Sequence, residues 1–344
     1  MNKLLLIGPS TNPIHLTNFY DLIKDYFDEI LVVSSGEFEL CQNIKMDFSL
    51  SNPLKLAKNI KKLRKIIIDF SPSIIQVHQA NSFAFITSVA NNGRYPQVLT
   101  TWGSDVLLLP KKNLFYKRLV AYSLKKSDYL TANANYMIEA IHKLVNKPVL
   151  LLNYGIDYQG IELPIKKEKI IYSNRLLNPI YRTDDIIIGF AEFVKKNPDW
   201  KLLIAGNGTE EEKLKKLADS VLPKDSFSFV GFVKRDINKQ NYLKSYIWIS
   251  NPISDGTAIS LYESMGYGCI SVTSDLPATK EVITNDKNGV IAIKGISEGL
   301  ERAIKMNLEE VQKINKEIII TTATKEVNKK KITDLYDEII KNHD

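Results

Sequence analysis

The stretch from Ser250 to Gly289 holds the residues best suited to chemistry. Asp255 and Glu263 stand eight residues apart in SDGTAISLYESMGYG, so one carboxylate precedes a predicted helix and the other lies within it. The first backbone N–H groups of a helix are unpaired and carry partial positive charge, which suits a phosphate or diphosphate. Glu263 could accept hydrogen bonds from sugar hydroxyls of the same ligand. An ordinary surface helix with two solvated carboxylates remains the alternative.

The segment resembles the acidic-x7-Glu motif of family-4 retaining glycosyltransferases. Their commoner form is EGFGLPxxEAMAxG, and the form here is DGTAISLYESMGYG, with Asp255 for the first Glu and Thr257-Ala258 for Phe-Gly. The resemblance implies a nucleoside diphosphate sugar donor of UDP type. It assigns the ribose hydroxyls to Glu263 and the transferred sugar to Asp255. The expected contacts of the diphosphate in this loop are Gly256, Thr257, Ala258, Ile259 and Ser260.

Two arginines follow the first predicted strand of the second half. Arg175 ends the strand KIIYSNR and Arg182 lies seven residues later. A guanidinium donates two hydrogen bonds at once to phosphate oxygens. In the resembling family an Arg and a nearby Lys hold the diphosphate, which implies the same role here for Arg175 and Arg182. Both could instead be surface arginines. The chain has no Asp-x-Asp, so we expect metal-independent transfer.

Glycines mark two further loops of the second half. Gly206 and Gly208 form a Gly-x-Gly between a strand and a helix, and Gly231 ends the strand SFSFVG before Phe232. A lone Gly-x-Gly can serve only a tight turn. In the resembling family these loops face the donor nucleotide, so we expect Gly206, Gly208, Gly231 and Phe232 to line its site.

The first half offers weaker candidates. The loop after the first strand reads PSTNPIHL, where the resembling family is usually Gly-rich, and it makes His15 a candidate donor contact. The turn TTWGSD resembles the family's HG-x-D, with Trp102 where a His is often found and Asp105 kept. Trp102 cannot exchange a proton as imidazole does. His78, at the end of the preceding strand, is the candidate to act in its place, and structural roles remain open for His15, His78 and Asp105.

Strands and helices alternate along both halves, which predicts parallel sheets. At 344 residues the chain exceeds one ordinary core. We therefore expect two Rossmann-like α/β domains facing across a cleft, which is the GT-B architecture that the resemblance implies. The expected domains are 1–163 for the acceptor and 164–325 for the nucleotide sugar. Residues 326–344 should form a C-terminal helix that packs back on the first domain, and Pro164 should mark the linker.

Composition narrows the class of protein. With 44% hydrophobic and 25% charged residues, and no apolar run of membrane-spanning length, the chain reads as soluble. Cys41 and Cys269 form no disulfide or zinc pattern, which favours a cytoplasmic location. The net charge of +7 includes a basic helical face at 55–65 and a basic group at 111–126. These could seat the protein on an anionic inner membrane face, although a solvated lysine face is the simpler interpretation. Nothing favours nucleic acid as a partner.

Together with these patterns, the resemblance implies a retaining glycosyltransferase that moves a hexosyl or N-acetylhexosaminyl group from a nucleoside diphosphate sugar to a hydroxyl acceptor. The acceptor is expected to be a glycan or lipid-linked glycan of bacterial surface polysaccharide or lipopolysaccharide assembly. No cofactor beyond the donor substrate is implied. A nucleotide-sugar epimerase of the same architecture and a non-catalytic nucleotide-sugar binding protein are the two alternatives.

Overall fold

The chain divides into two units. A computed structural model describes residues 1–9, 13–158, 160, 163 and 167–343. Unit 1 comprises Met1–Tyr154 and Lys325–Asp344, and unit 2 comprises Gly155–Thr324. The first division lies earlier than the 163/164 boundary expected from sequence, because Ile156 and Tyr158 already pack in the core of unit 2. The linker expected at Pro164 lies outside the described residues.

Unit 1 contains a seven-stranded parallel sheet. Its order is β3-β2-β1-β4-β5-β6-β7, and every pair is parallel. The central strands β1, β4 and β5 are buried along almost their whole length, as expected of strands covered on both faces. The strands are β1 (Lys3–Gly8), β2 (Glu29–Ser34), β3 (Asn43–Lys45), β4 (Ile74–His78), β5 (Gln97–Thr100), β6 (Tyr129–Ala132) and β7 (Val149–Leu151).

Seven helices connect these strands. The longest connecting helix, Pro53–Phe70, starts where the Asn52 side chain accepts hydrogen bonds from the Leu54 and Lys55 N–H groups, a typical N-cap. Its buried residues are Asn59, Leu63 and Ile67, and its lysines face outward. The helices are α1 (Pro13–Ile23), α2 (Pro53–Phe70), α3 (Ser82–Asn91), α4 (Ser104–Leu107), α5 (Leu109–Lys112), α6 (Leu114–Lys126) and α7 (Asn135–His142).

Unit 2 contains a six-stranded parallel sheet in the order β10-β9-β8-β11-β12-β13. The strands are β8 (Glu168–Ser173), β9 (Lys201–Ile204), β10 (Phe227–Phe229), β11 (Ser245–Ser250), β12 (Ile270–Thr273) and β13 (Val290–Ile291). The helices are α8 (Thr183–Lys196), α9 (Glu211–Val221), α10 (Arg235–Lys244), α11 (Ile259–Gly266), α12 (Pro277–Lys280), α13 (Ile296–Ala303) and α14 (Leu308–Ile318).

The last helix, α15 (Lys325–His343), returns to unit 1. Its Tyr336 is fully buried and donates a hydrogen bond of 2.8 Å to Oε1 of Gln76 on β4. Gln76 Nε2 donates in turn to Thr100 Oγ1 on β5, also at 2.8 Å. The predicted fold class, two parallel Rossmann-like sheets with a C-terminal helix on the first, is confirmed.

In each sheet the chain starts near the middle and changes direction once. The change falls between β1 and β4 in unit 1 and between β8 and β11 in unit 2. Ligands of open α/β sheets bind beyond the carboxyl ends of the strands at such a switch point. A ligand site is therefore expected among the residues that follow these four strands.

Candidate functional site

The switch point of unit 2 is occupied by an ion pair. Arg175 follows β8 and Asp255 follows β11, and the Arg175 Nη2 lies 2.5 Å from Asp255 Oδ2. The Nη1 of the same guanidinium donates to Oγ of Ser260, at the start of α11, at 2.8 Å. The side chains of Arg175 and Asp255 are 13% and 23% exposed. Residues 80 positions apart in sequence thus meet because their strands are neighbours.

The guanidinium of Arg175 is fixed from a third side by an aromatic ring. It lies over the ring of Tyr181, 4.5 Å from the centroid, in a cation–π contact. Burial works against the charge of Arg175, but Asp255 and Tyr181 outweigh it, so the pKa of the guanidinium is raised above its ordinary value. Arg175 is therefore a permanent, oriented cation at this sheet edge.

Glu263 lies on α11 and is held by Tyr242 of α10. The Tyr242 hydroxyl donates to Glu263 Oε2 at 3.0 Å. Burial raises the pKa of the Glu263 carboxyl, against the opposing effects of the Tyr242 hydrogen bond and of Arg235. Because Ser260 and Glu263 share one helix, Arg175 and Glu263 border the same region of unit 2.

A buried polar network supports this pair of helices. Asn174, next to Arg175, donates to the Tyr242 hydroxyl at 2.7 Å, and its Oδ1 accepts from Nε1 of Trp248 at 2.8 Å. Tyr242 and Trp248 are almost completely buried. A buried network in which donors and acceptors are matched fixes side-chain positions. The network therefore sets the position of Glu263 relative to the end of β8.

The glycine loops have a packing role at the same edge. A Cβ added at Gly206, where φ is +125°, would lie 2.5 Å from the carbonyl oxygen of Arg175, and one at Gly208 would lie 2.3 Å from that of Leu177. The Gly206 N–H donates to the Gly231 carbonyl at 2.7 Å. Only glycine allows this approach. Phe232, the next residue after Gly231, is 63% exposed.

Arg182 has a different environment. It is the N-cap residue of α8, with φ at +46°, and its guanidinium pairs with Asp185 of the following turn. The Asp185 Oδ2 atom also accepts from Asn251 at 3.2 Å. The Arg182 side chain is 47% exposed. The structure thus joins Arg175, Asp255 and Ser260 directly, whereas Arg182 pairs within its own turn.

The loop between β11 and α11 presents the remaining predicted contacts. Gly256 and Thr257 are buried, and Ala258 and Ile259 are partly exposed. α11 begins at Ile259, and the residue before it, Ala258, supplies no side-chain cap. The first N–H groups of a helix need partners from outside the helix. This helix start, next to Ser260 and Arg175, is suited to an anionic ligand.

In unit 1 the predicted site residues are more deeply buried. His78, at the end of β4, is fully buried; its Nδ1 accepts from Trp102 Nε1 at 3.0 Å. That hydrogen bond leaves the ring proton on Nε2, which has no hydrogen-bond partner among the described residues. Phe19 packs edge-on against His78. Burial lowers the pKa of His78 to about 3, so the imidazole is neutral.

Asp105 is a second buried group of unit 1. It is 3% exposed and accepts hydrogen bonds from three backbone N–H groups, those of Ala80 (2.7 Å), Gly103 (2.9 Å) and Trp102 (3.1 Å). Burial raises the pKa of the Asp105 carboxyl despite these bonds. Asp105 therefore ties the turn after β5 to the turn after β4.

His15 lies on α1 beside a cavity of unit 1. Its ring is 4.5 Å from that of Trp102 and 5.9 Å from that of Tyr154, measured between centroids. The cavity has a volume of about 430 Å³ and is lined by residues that follow β1, β2, β3, β4 and β5. His15 and Trp102 both line it, whereas the buried His78 and Asp105 are not among its lining residues.

Sequence reasoning missed the residues that orient the charged groups. Tyr181, Tyr242, Asn174 and Trp248 do not belong to the motifs that identified Arg175 and Glu263. The only sequence signal was indirect, since Tyr181 stands next to Arg182 in NPIYRTDD. Their roles depend on the pairing of β8 with β11 and on the packing of α10 against both strands and α11.

Two sequence families match the chain. Residues 157–325 match the family described as glycosyl transferases group 1, and residues 3–134 match the family described as glycosyl transferase 4-like. A relative from Haemophilus influenzae, described as an uncharacterized glycosyltransferase, is 25% identical over 286 residues, which are 79% of this chain and 68% of the relative.

Solved structures share the fold. Anabaena HepE in complex with UDP has a TM-score of 0.82 at 15% identity, covering 98% of this chain and 100% of HepE. The lipopolysaccharide outer core galactosyltransferase WaaB in its apo form has a TM-score of 0.73 at 15% identity, covering 98% of this chain and 99% of WaaB. At these identities the likeness concerns the fold.

Proposed function

The chain belongs to the family-4 glycosyltransferases and has their GT-B fold, and from this premise we propose that it transfers a sugar from a UDP-sugar to a hydroxyl of a glycan acceptor. The transferred sugar is a hexosyl or N-acetylhexosaminyl group in this proposal, and its anomeric configuration is retained. The acidic-x7-Glu motif from Asp255 to Glu263 supports retention through the family resemblance. That HepE has been crystallised with UDP and with UDP-glucose supports the choice of base.

One observation carries the proposal: Arg175 lies at the switch point of unit 2, bonded to Ser260 at the start of α11. The chemical step requires a diphosphate to leave as the anomeric carbon becomes cation-like. A guanidinium has five N–H donors. The contact with Ser260 uses one N–H of Nη1, and the contact with Asp255 uses one N–H of Nη2. A preorganised donor of this kind stabilises developing negative charge by about 3 kcal/mol.

In this proposal Asp255 and Glu263 bind the two sugar rings of the donor. Glu263, held by the Tyr242 hydroxyl, would accept hydrogen bonds from the ribose hydroxyls. Asp255 would contact the transferred sugar while it keeps Arg175 in place. Transfer would proceed without a divalent cation, so EDTA should leave the rate unchanged.

The test is donor turnover by the full chain against a panel of nucleoside diphosphate sugars, first without and then with oligosaccharide acceptors. The proposal predicts slow release of free sugar and UDP from one UDP-sugar, and NMR of the transfer product should show the donor's anomeric configuration. Glu263→Ala should abolish the hydrolysis. The matched control is Lys216→Ala, which removes an exposed charge of α9 in the same unit and should leave turnover unchanged.

Three results would contradict the proposal. Tight UDP-sugar binding with no turnover under any acceptor would favour a binding protein. Conversion of a UDP-sugar to its epimer without an acceptor would favour an epimerase. A product of inverted configuration would remove the retaining mechanism.

We also propose that the acceptor belongs to bacterial surface polysaccharide or lipopolysaccharide assembly and is met at the cytoplasmic face of an anionic membrane. WaaB, described as a lipopolysaccharide outer core galactosyltransferase, supports the pathway class. No helix of the described residues has the length and apolar character of a membrane span. Contact would therefore be peripheral.

The surface that supports membrane contact lies at the start of α6. Leu114 and Phe115 are 61% and 60% exposed, although large apolar side chains are normally covered. Four exposed cations surround them in sequence, Lys111, Lys112, Lys117 and Arg118. Each cation near an anionic surface contributes about 1 kcal/mol, and the two apolar side chains could enter the headgroup region.

Vesicle sedimentation tests this surface. We expect binding to phosphatidylglycerol-containing vesicles, weaker binding to pure phosphatidylcholine, and a loss in Phe115→Ser and in Lys117→Glu. The control is Lys216→Glu in unit 2. Equal and negligible sedimentation with both vesicle types would remove the membrane from the proposal and leave the donor chemistry untouched.

A further inference from the structure

Lys167 is a buried lysine of unit 2 that lies directly before β8. The residue is only 6% exposed. Its Nζ donates to three backbone carbonyls, those of Tyr242 (2.9 Å), Leu243 (3.0 Å) and Tyr267 (2.8 Å). Because an ammonium group has three N–H donors, each of them can bind one of these carbonyls.

The three carbonyls lie at the ends of two helices. Tyr242 and Leu243 belong to the last turn of α10, and Tyr267 is the C-cap residue of α11. The last carbonyls of a helix have no partner within it and carry partial negative charge, so they suit a cation. A buried charge also needs hydrogen bonds to replace those of water. Lys167 therefore joins the C-terminal end of α10 to that of α11.

The same helix ends are connected to Glu263. Tyr242 accepts from Lys167 through its carbonyl and donates to Glu263 through its hydroxyl. The Tyr267 N–H donates to the Glu263 carbonyl at 2.9 Å. The rings of Tyr242 and Tyr267 stack with centroids 5.7 Å apart. A shift of either helix end would therefore move the hydroxyl that holds the Glu263 carboxylate.

A second side chain also contacts the end of α10. Cys269 Sγ lies 4.0 Å from Lys167 Nζ and donates to the Tyr242 carbonyl at 3.1 Å. Burial raises the pKa of the Cys269 thiol to about 11, so the thiol keeps its proton at neutral pH. Of these two side chains, that of Lys167 also binds Tyr267, and it is the one that connects the two helix ends.

We propose that Lys167 is a positioning residue of the donor site. Its ammonium fixes the C-terminal ends of α10 and α11 to each other, which keeps the Tyr242 hydroxyl on Glu263 and orients the carboxylate toward the ribose hydroxyls. This inference rests on the proposed function and extends it, because it adds a buried cation that acts on the nucleotide through Tyr242 and Glu263.

The test compares the binding of UDP and of 2′-deoxy-UDP to the full chain by calorimetry. The two ligands differ in one ribose hydroxyl, so the ratio of their dissociation constants measures the ribose contact and is insensitive to a general loss of stability. The wild type should prefer UDP about tenfold or more, as expected for a hydrogen bond to a carboxylate. In Lys167→Met, which keeps an apolar side chain and removes the ammonium, the preference should fall below about threefold.

A second substitution tests whether Lys167 acts through Tyr242. Tyr242→Phe removes the hydroxyl that donates to Glu263 and should lower the preference to a similar extent. Adding Lys167→Met to Tyr242→Phe should then lower it little further, because both changes act on one contact. Lys167→Gln keeps an amide N–H for these carbonyls, should give an intermediate preference and is the second variant if Lys167→Met does not fold.

The matched control is Lys169→Met. It removes an exposed lysine two residues further along the chain, which pairs with Asp199, and it should keep the wild-type preference for UDP. An unchanged preference in Lys167→Met, or a second full loss when it is added to Tyr242→Phe, would overturn the inference. Failure of both Lys167 variants to fold would overturn it as well, since Lys167 would then serve folding alone.

Glu263→Ala separates this inference from the proposed function. It should abolish the preference for UDP over 2′-deoxy-UDP. If it does so while Lys167→Met keeps the preference, the inference fails and the ribose contact of Glu263 stands. A wild type without preference, or an equal preference in Glu263→Ala, would remove that ribose contact from the proposed function and the role of Lys167 with it.

Discussion

The carboxyl edges of the two sheets share a strand order around the switch point but differ in chemistry. In unit 2 the edge carries a fixed guanidinium, Arg175, bonded to side chains that follow the neighbouring strand. In unit 1 the corresponding edge carries an aromatic cavity whose described lining has no Lys or Arg. The same strand order thus carries a fixed cation at one edge and an aromatic-lined cavity at the other.

The two buried or half-buried aspartates make the difference concrete. Asp255 and Asp105 both follow a central strand, β11 and β5. Asp255 pairs with a guanidinium and its side chain is partly exposed to solvent. Asp105 is nearly inaccessible and accepts hydrogen bonds from three backbone N–H groups. The hydrogen-bond partners of an aspartate that follows a strand therefore indicate whether its carboxylate remains available to a ligand or only holds neighbouring turns together.

The largest expected effect is that of Arg175→Ala. Loss of the cation that is bonded to both Asp255 and Ser260 should lower kcat/KM for the UDP-sugar about 10²–10³-fold, equivalent to about 3–4 kcal/mol. Steady-state hydrolysis and calorimetric UDP binding measure it. Lys216→Ala, at an exposed position of α9 in the same unit, is the control and should keep the wild-type rate. An unchanged kcat/KM and UDP affinity in Arg175→Ala would show that this guanidinium does not bind the diphosphate.

Asp105→Ala should act on stability and not on the donor. It removes the acceptor of three buried backbone N–H groups, so we expect unit 1 to lose about 3 kcal/mol of its free energy of unfolding. Urea unfolding followed by circular dichroism measures the loss, and UDP affinity at low temperature should be unchanged. A stable variant with weakened UDP binding would instead make Asp105 a donor contact.

The next effect in size depends on pH. Buried His78 has a folded-state pKa of about 3, while an unfolded histidine titrates near 6.5, so the unfolded chain binds the extra proton between these values. Stability contributed by neutral His78 is complete above pH 6.5 and falls as the pH drops, by about 2 kcal/mol between pH 7 and pH 5. His78→Gln keeps an acceptor for Trp102 and should remove this part of the pH dependence in urea titrations. Identical pH profiles for both proteins would show that His78 is accessible to protons when folded.

The smallest effect is expected for Arg182→Ala. Its half-exposed guanidinium pairs with Asp185, and such pairs contribute at most about 1 kcal/mol. Turnover of the UDP-sugar should therefore change less than about threefold, against the large loss in Arg175→Ala. A loss as large as that of Arg175→Ala would support the two-arginine diphosphate site expected from sequence.

The sequence alone predicted the fold and pointed to the charged residues Arg175, Asp255 and Glu263 of unit 2, because both predictions depend on patterns that are local in the sequence. The alternation of strands and helices predicts parallel sheets. Arg175 and Asp255 belong to motifs that follow strand ends, and Glu263 belongs to the helix that comes next. The roles of Tyr242 and Tyr181 could not be read in this way. Tyr242 lies in the last turn of α10 and contacts Glu263 only because α10 and α11 pack together.

In unit 1 the same reasoning was less informative. His78 ends β4 and Asp105 follows β5, positions at which ligand contacts are common, yet Phe19, Trp102 and the backbone of neighbouring turns enclose them. The alternation of strand and helix segments predicts where a strand lies. It does not predict which residues cover the last side chain of that strand. The cavity residues Phe48 and Gln79 follow two different strands, β3 and β4, and no spacing in the sequence connects them.

The return of α15 to unit 1 has a consequence for synthesis on the ribosome. Gln76 and Thr100 emerge early, but the hydroxyl that completes their hydrogen-bonded chain belongs to Tyr336, which is translated after all of unit 2. We therefore expect the first unit to be translated to be the last to become complete. A nascent chain stalled after Thr324 should expose unit 1 to protease while unit 2 is already resistant.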